Sequence, residues 1–242
     1  MTRETSPRDW LVGTVVSATR QTPNAKSIVL DVPGWQGSTA GQHVDVRLTA
    51  PDGYTAVRAY SLASTGPGQQ VELAVDLIDD GEVSPYLVAE LRAGDQLEFR
   101  GPLGRWFVWK PEQTAPVQLI AGGSGVVPLL AMIRAHTAAG SSVPMRLLYS
   151  VRSPSDRFFA DELAAASGVD VTIVYTREVP DGWPMAPGRV TKELIASTTT
   201  PATASPAVFV CGPTGFVEAV ASALVDLGHD PVTIKTERFG GS

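Results

Sequence analysis

The chain has 242 residues, a formal net charge of −6, 43% hydrophobic and 18% charged residues, enough for a sizeable buried core and too apolar for a disordered polypeptide. The acidic balance excludes the basic stripe of a nucleic-acid binder. The single cysteine, Cys211, excludes an internal disulfide or a cysteine-ligated iron–sulfur cluster within these residues.

From Trp10 to Trp109 the apolar runs are short and separated by turn residues: Leu11–Ala18, Ser27–Val32, His43–Leu48, Val71–Ile78, Gln96–Arg100 and Trp106–Trp109. Several alternate, as in His43-Val-Asp-Val-Arg-Leu48. This period of two predicts an antiparallel barrel or sandwich. One helix interrupts it over Ser84–Leu91, with Ser84 as N-cap and Pro85 at the first helical position.

Lys110–Pro116 is rich in proline and polar residues and marks a boundary, so two domains are expected, over 8–112 and 116–242. Beyond it, strands alternate with helices. Val117–Ala121 leads to a helix over Val126–Ala139, Met145–Val151 to Asp156–Ala166, and Val169–Tyr175 to a loop and a short helix, Thr191–Ala196. Ala207–Cys211 leads to Thr214–Leu227, and Val232–Lys235 closes the series. Continuous apolar strands alternating with helices predict a parallel sheet covered on both faces. Ser197–Pro206, rich in Thr, Ala and Pro, reads as an exposed loop.

The three histidines, His43, His136 and His229, show no metal-ligand spacing, so no metal is expected. No apolar run reaches the roughly 18 residues of a membrane span. The polar start, Met1 to Asp9, lacks the apolar core of a signal peptide. A cytoplasmic protein with no membrane or nucleic-acid partner is the expectation.

Ligands of open parallel sheets lie at the carboxyl ends of the strands. There the chain carries Ala121-Gly-Gly-Ser-Gly-Val-Val-Pro128, a glycine-rich strand-to-helix turn whose amides can approach a phosphate. It also carries Val208-Phe-Val-Cys-Gly-Pro-Thr214, which puts a thiol at a strand end. In the first half, Val57-Arg-Ala-Tyr-Ser-Leu-Ala-Ser64 puts a cation and an aromatic ring on one side of a strand. Gly81-Glu-Val-Ser84 opens a helix. Singly, each has an ordinary structural explanation: a tight turn, a buried thiol, an edge-strand Arg with a half-buried Tyr, an N-cap.

In sequence order the set is more specific. Arg58-x-Tyr60-Ser61-x-x-Ser64, Gly81-x-x-Ser84, Gly101-Pro-Leu-Gly104, Gly122-Gly-Ser-Gly125-x-x-Pro128 and Cys211-Gly-Pro213 together resemble the ferredoxin–NADP⁺ reductase superfamily, over about Trp10 to Phe239. The resemblance implies an N-terminal antiparallel Greek-key barrel that holds FAD, in preference to FMN. It implies a C-terminal α/β domain that holds NADPH or NADH. Arg58 would then contact the flavin diphosphate, Tyr60 would pack on the flavin ring and Ser61 would bond near its N5. Ser64, Gly81, Val83 and Ser84 would complete the flavin site. Gly122, Gly123, Ser124 and Gly125, with Gly212 and Pro213, would cradle the dinucleotide, and Cys211 would lie beside the nicotinamide. Glu237 and Phe239 match a C-terminal Glu-x-aromatic that reaches the flavin in many relatives, here followed by Gly240-Gly241-Ser242. Ser61, Cys211 and Glu237 are the catalytic candidates, with the two domains meeting along a cleft.

At the tips of the second and third strands stand Ser150, Arg152 and Arg177, without an acid at the tip of the second. Arginines there accommodate a 2′-phosphate, which favours NADPH, unless they are simply solvated. His43 reads as a packed barrel residue, and Trp183 and Met185 as either an adenine cover or a loop core. The function implied is a reductase passing electrons from NAD(P)H through FAD to a separate acceptor: a ferredoxin, an oxygenase component or a small molecule. The alternative is a non-catalytic or electron-wiring flavin- and nucleotide-binding subunit of a larger complex.

Overall fold

The structure is a computed structural model and describes residues 9–240. It divides into two compact units, one ending at Lys110 and the other starting at Pro111.

The first unit holds β1 (Leu11–Thr22), β2 (Ala25–Asp31), β3 (His43–Thr49), β4 (Thr55–Ser61), β5 (Gln70–Asp76) and β6 (Gln96–Leu103). They form one sheet in the order β4-β3-β6-β1-β2-β5, antiparallel throughout. The outer strands meet only at an isolated bridge, Leu62 with Leu73, so the sheet curls like a barrel without sealing. Two register shifts in β1 let one long strand bend and serve both β6 and β2. The alternation seen in the sequence is realised on β3: Val44 and Val46 are wholly buried. Asp45 and Arg47 turn the other way, Arg47 onto Glu98 through two bonds of 2.9 Å and Asp45 onto Arg100. The Arg47 guanidinium lies 4.1 Å over the Trp10 ring.

Two expectations change here. Trp106–Trp109 is not a strand. Phe107 and Trp109 are buried on alternate positions, which mimics a strand, but the segment lies outside the ladders of β1–β6 and Trp109 N–H donates to Ala40 O at 3.2 Å. The helix expected over Ser84–Leu91 is present over Ser84–Glu90, its Tyr86–Glu90 part a π-helix, but it has no side-chain cap. The Ser84 hydroxyl, buried, instead accepts the Ile78 N–H at 3.1 Å and closes the preceding turn.

The second unit holds β7 (Val117–Gly122), α1 (Val126–Ala138), β8 (Met145–Val151), α2 (Ala160–Ala165), β9 (Val169–Tyr175), α3 (Lys192–Thr198), β10 (Ala207–Pro213), α4 (Thr214–Asp226) and β11 (Ile234–Phe239). The sheet order is β11-β10-β7-β8-β9, all parallel. All six residues of the central β7 are buried, as a sheet covered on both faces requires. One face packs Ile120, Leu148, Val174 and Val210 against Ile195 of α3 and Val217, Val220 and Leu224 of α4. Each large apolar side chain so buried contributes about 1.5–3 kcal/mol.

Three segments differ most from the sequence reading. The helix expected over Asp156–Ala166 begins only at Ala160, because Phe159 takes a left-handed conformation (φ 51°) next to Phe158, whose N–H donates to the Tyr149 hydroxyl at 3.1 Å. The last strand runs over Ile234–Phe239, not Val232–Lys235. Asp230 caps a short turn at Val232, which leaves that valine 73% exposed. Ser197–Pro206 is not a free loop: α3 continues to Thr198, Thr199 is buried, and the wholly buried Gln118 accepts the Thr200 N–H at 2.8 Å. Among the described residues no helix is long and apolar enough to cross a membrane. No group of three or more His, Cys, Asp or Glu there is arranged to hold a metal.

Candidate functional site

In the first unit, Arg58 and Tyr60 stand on β4 opposite Val46 and Val44, the side that faces the core. Tyr60 packs against that core, and burial pushes its phenol up to about 12. Arg58, two residues earlier on the strand, is exposed. Its Nη1 donates to Val57 O at 2.8 Å and its Nη2 to Glu82 Oε2. The Tyr54 hydroxyl donates to the other oxygen of the same carboxylate. Glu82 and Tyr54 were not singled out in the sequence, because nothing local joins residues 24 and 28 positions apart.

Ser61 is half-buried and pairs with His43 across β3 and β4. The His43 ring lies beside Gly104, where a Cβ would meet its Nδ1 at 3.2 Å, and burial lowers its pKa. Ser64 has a fold role: its hydroxyl accepts the Glu72 N–H at 2.9 Å. Val83 is in the core. Gly81 is required by packing, since a Cβ would sit 2.8 Å from Ser84 Oγ and 2.9 Å from Ile78 O. A cation and a partly sunk aromatic ring on one side of an edge strand suit a diphosphate joined to a planar ring system.

In the second unit, strand order reverses between β7 and β10, and such a switch point is where a crevice opens at the carboxyl ends of parallel strands. The glycine turn ends β7 there and Cys211-Gly212 ends β10. The two are in near contact: a Cβ on Gly125 would lie 2.2 Å from Cys211 O. Gly122 and Gly212 both close over the Phe216 ring, where a Cβ would sit 2.8 Å from its Cδ1. Those three glycines thus have packing reasons of their own. Gly123 differs, with φ +56° and open space where a side chain would stand. Together with Ser124 and the start of α1 it offers the main-chain approach a dinucleotide needs. Phe216, the wedge beneath the turn, left no signal in the sequence.

Ser150 pairs with Gly122 and is buried. Arg152 and Arg177 are exposed and adjacent, Arg177 N–H donating to Arg152 O at 2.9 Å. Glu178 N–H donates to the same carbonyl at 3.1 Å, so an acid joins this corner. Met185 packs into the core beside α4 and Trp183 meets Tyr175 edge-on at 5.0 Å, which gives both a place in the loop core. Cys211 is paired with Glu237, and Pro213 with Phe239, in the β10–β11 register. Burial first, and then the Glu237 charge, push the Cys211 thiol well above its ordinary range. Burial lifts the Glu237 carboxyl from 4.5 to about 7. Pro213 and Phe239 are exposed. Gly241 and Ser242, which follow them, lie outside the described residues.

Residues 13–108 match the oxidoreductase FAD-binding domain family and residues 119–222 the oxidoreductase NAD-binding domain family. The chain is 32% identical over 231 residues to NADH oxidoreductase HCR of Escherichia coli (strain K12), covering 94% of this chain and 68% of that protein. It is 32% identical over 197 residues to the reductase component of propane 2-monooxygenase from Mycolicibacterium smegmatis, covering 77% of this chain and 55% of that protein. Among solved structures, the FAD/NAD-binding domain of a nitric oxide dioxygenase from Vibrio cholerae O1 biovar El Tor superposes with a TM-score of 0.86 at 27% identity. That match covers 97% of this chain and 100% of the other. With the two domains in this order, and a relative matched over two thirds of its length, the chain belongs to the FAD- and NAD(P)-dependent oxidoreductases of the ferredoxin–NADP⁺ reductase superfamily.

Proposed function

We propose that this chain takes hydride from NADPH onto FAD and passes the electrons to a separate acceptor, a ferredoxin or an oxygenase component. The observation that carries the reading is the switch point of the parallel sheet, where the glycine turn, Cys211 and Glu237 converge. The naming of one relative as an oxygenase reductase component supports the choice of acceptor.

FAD, when bound, supplies two-electron uptake and one-electron release. The chain's own residues supply binding, orientation and proton control. Arg58 would neutralise the flavin diphosphate, Tyr60 would cover the ring and Ser61 would donate a hydrogen bond to it. Gly123 and Ser124 receive the dinucleotide at the head of α1, with Gly122, Gly125, Gly212 and Pro213 shaping the turn. Cys211 remains a neutral thiol at physiological pH, so it serves as a packing surface for the nicotinamide and not as a nucleophile. Glu237, half-protonated near neutrality, holds or releases a proton beside it. Phe239, exposed on the same strand, matches the aromatic of the C-terminal Glu-x-aromatic pattern.

NADPH is favoured by Arg152 and Arg177, side by side next to Ser150. Glu178 at the same corner supports NADH instead, since an acid there can take the ribose hydroxyls. Anaerobic stopped-flow reduction with each donor separates the two readings. Arg177→Ala is expected to cost about 1.5–3 kcal/mol in NADPH binding and to leave NADH unchanged. Equal losses with both donors would exclude a 2′-phosphate contact. A screen of ferredoxins and small acceptors then identifies the electron sink.

A further inference from the structure

The anion that meets Arg58 in the structure is one the chain itself provides. Glu82 is held in place twice, by the Arg58 guanidinium and by the Tyr54 hydroxyl, each on its own carboxylate oxygen. Asp79 and Asp80 are exposed in the same turn. A phosphate arriving at Arg58 therefore meets one cation already engaged, and further carboxylates close by. Both partners of the pair are exposed, with side chains 52% and 40% accessible, so the contact is weak enough to open. A diphosphate offers the guanidinium more charge and a better-matched fork of oxygens than one carboxylate does.

We propose that Glu82 is a built-in competitor for Arg58, so that flavin binds by exchange of the carboxylate for the diphosphate and stays loosely held. This rests on the reading of Arg58 as a flavin-diphosphate contact. The carboxylate moves off Arg58 as the ligand enters, and returns when it leaves. A flavin held in this way exchanges with the free pool more readily than one bound by an unopposed arginine.

The test is fluorescence titration of flavin-depleted protein with FAD. Glu82→Gln is expected to bind FAD about three- to fivefold more tightly than wild type. In an Arg58→Ala background the same replacement is expected to change little. Tyr54→Phe, which removes the second anchor of the carboxylate, also tightens binding, by less. Raising the salt concentration weakens FAD binding more steeply in Glu82→Gln than in wild type, because wild type already loses an internal ion pair on binding. Unchanged or weaker FAD binding by Glu82→Gln, or an equal gain with and without Arg58, overturns the exchange while leaving the flavin site standing. Failure of wild type itself to take up FAD overturns the flavin site along with the exchange.

Discussion

Glu237 shows how one burial sets a pH response. Its folded value, about 7, lies above the ordinary 4.5 because burial disfavours the charged carboxylate. The folded state therefore holds this proton more tightly than the unfolded chain. Its contribution to stability is full below about 4.5 and is lost as pH rises through about 7. Glu237→Gln is expected to flatten the dependence of the unfolding midpoint on pH across that window, as followed by thermal melts. It should also bring the Cys211 thiol down, since the Glu237 charge is the second cause of its rise. A cysteine and a glutamate at strand ends were legible as candidates from sequence. Their adjacency was not, because the residues are 26 positions apart and meet only through the parallel register of β10 and β11. Glu82 was hidden for the same reason. It lies inside a motif singled out for Gly81 and Ser84, yet what defines it is a contact with another strand's arginine.

At the level of elements, β8 and β9 match the sequence reading residue for residue. A buried parallel strand is a continuous apolar run ended by turn residues, and that is visible in one dimension. The last strand was misplaced because Val232 and Ile234 carry the apolar letters, whereas Asp230 and Pro231 spend the first of them on a turn. The helix after Ser84 was legible and its cap was not. Ser84 has the right chemistry for a cap, and only the fold reveals that its hydroxyl serves Ile78. The glycine turn was read as one cradle, but its members differ. Gly125→Ala is expected to destabilise the second unit by about 3 kcal/mol, because the new methyl would strike the Cys211 main chain, which cannot swing aside. Gly123→Ala meets no atom and carries only its positive φ, at about 1 kcal/mol. Urea unfolding of the two variants tests the ranking, and equal losses would contradict it.

Each of the two units has its own sheet and its own buried cluster, so each ligand should report on its own unit. FAD at a hundredfold above its dissociation constant is expected to stabilise the first unit by about 2.7 kcal/mol, with slower amide exchange over Thr55–Ser61 and 81–91. NADPH is expected to slow exchange at 122–126 and 211–213. Hydrogen-exchange mass spectrometry reads both, and FAD protection confined to the second unit would reverse the assignment. The incomplete closure of the first sheet has a further effect. Among the described residues β4 has a strand neighbour on one flank only, apart from the bridge at Leu62. Peptide groups left along such a flank are a template for a foreign chain. Among the described residues β4 carries its own deterrent: the exposed charge of Arg58, paired with Glu82, is one that a second chain laid along the strand would have to accommodate.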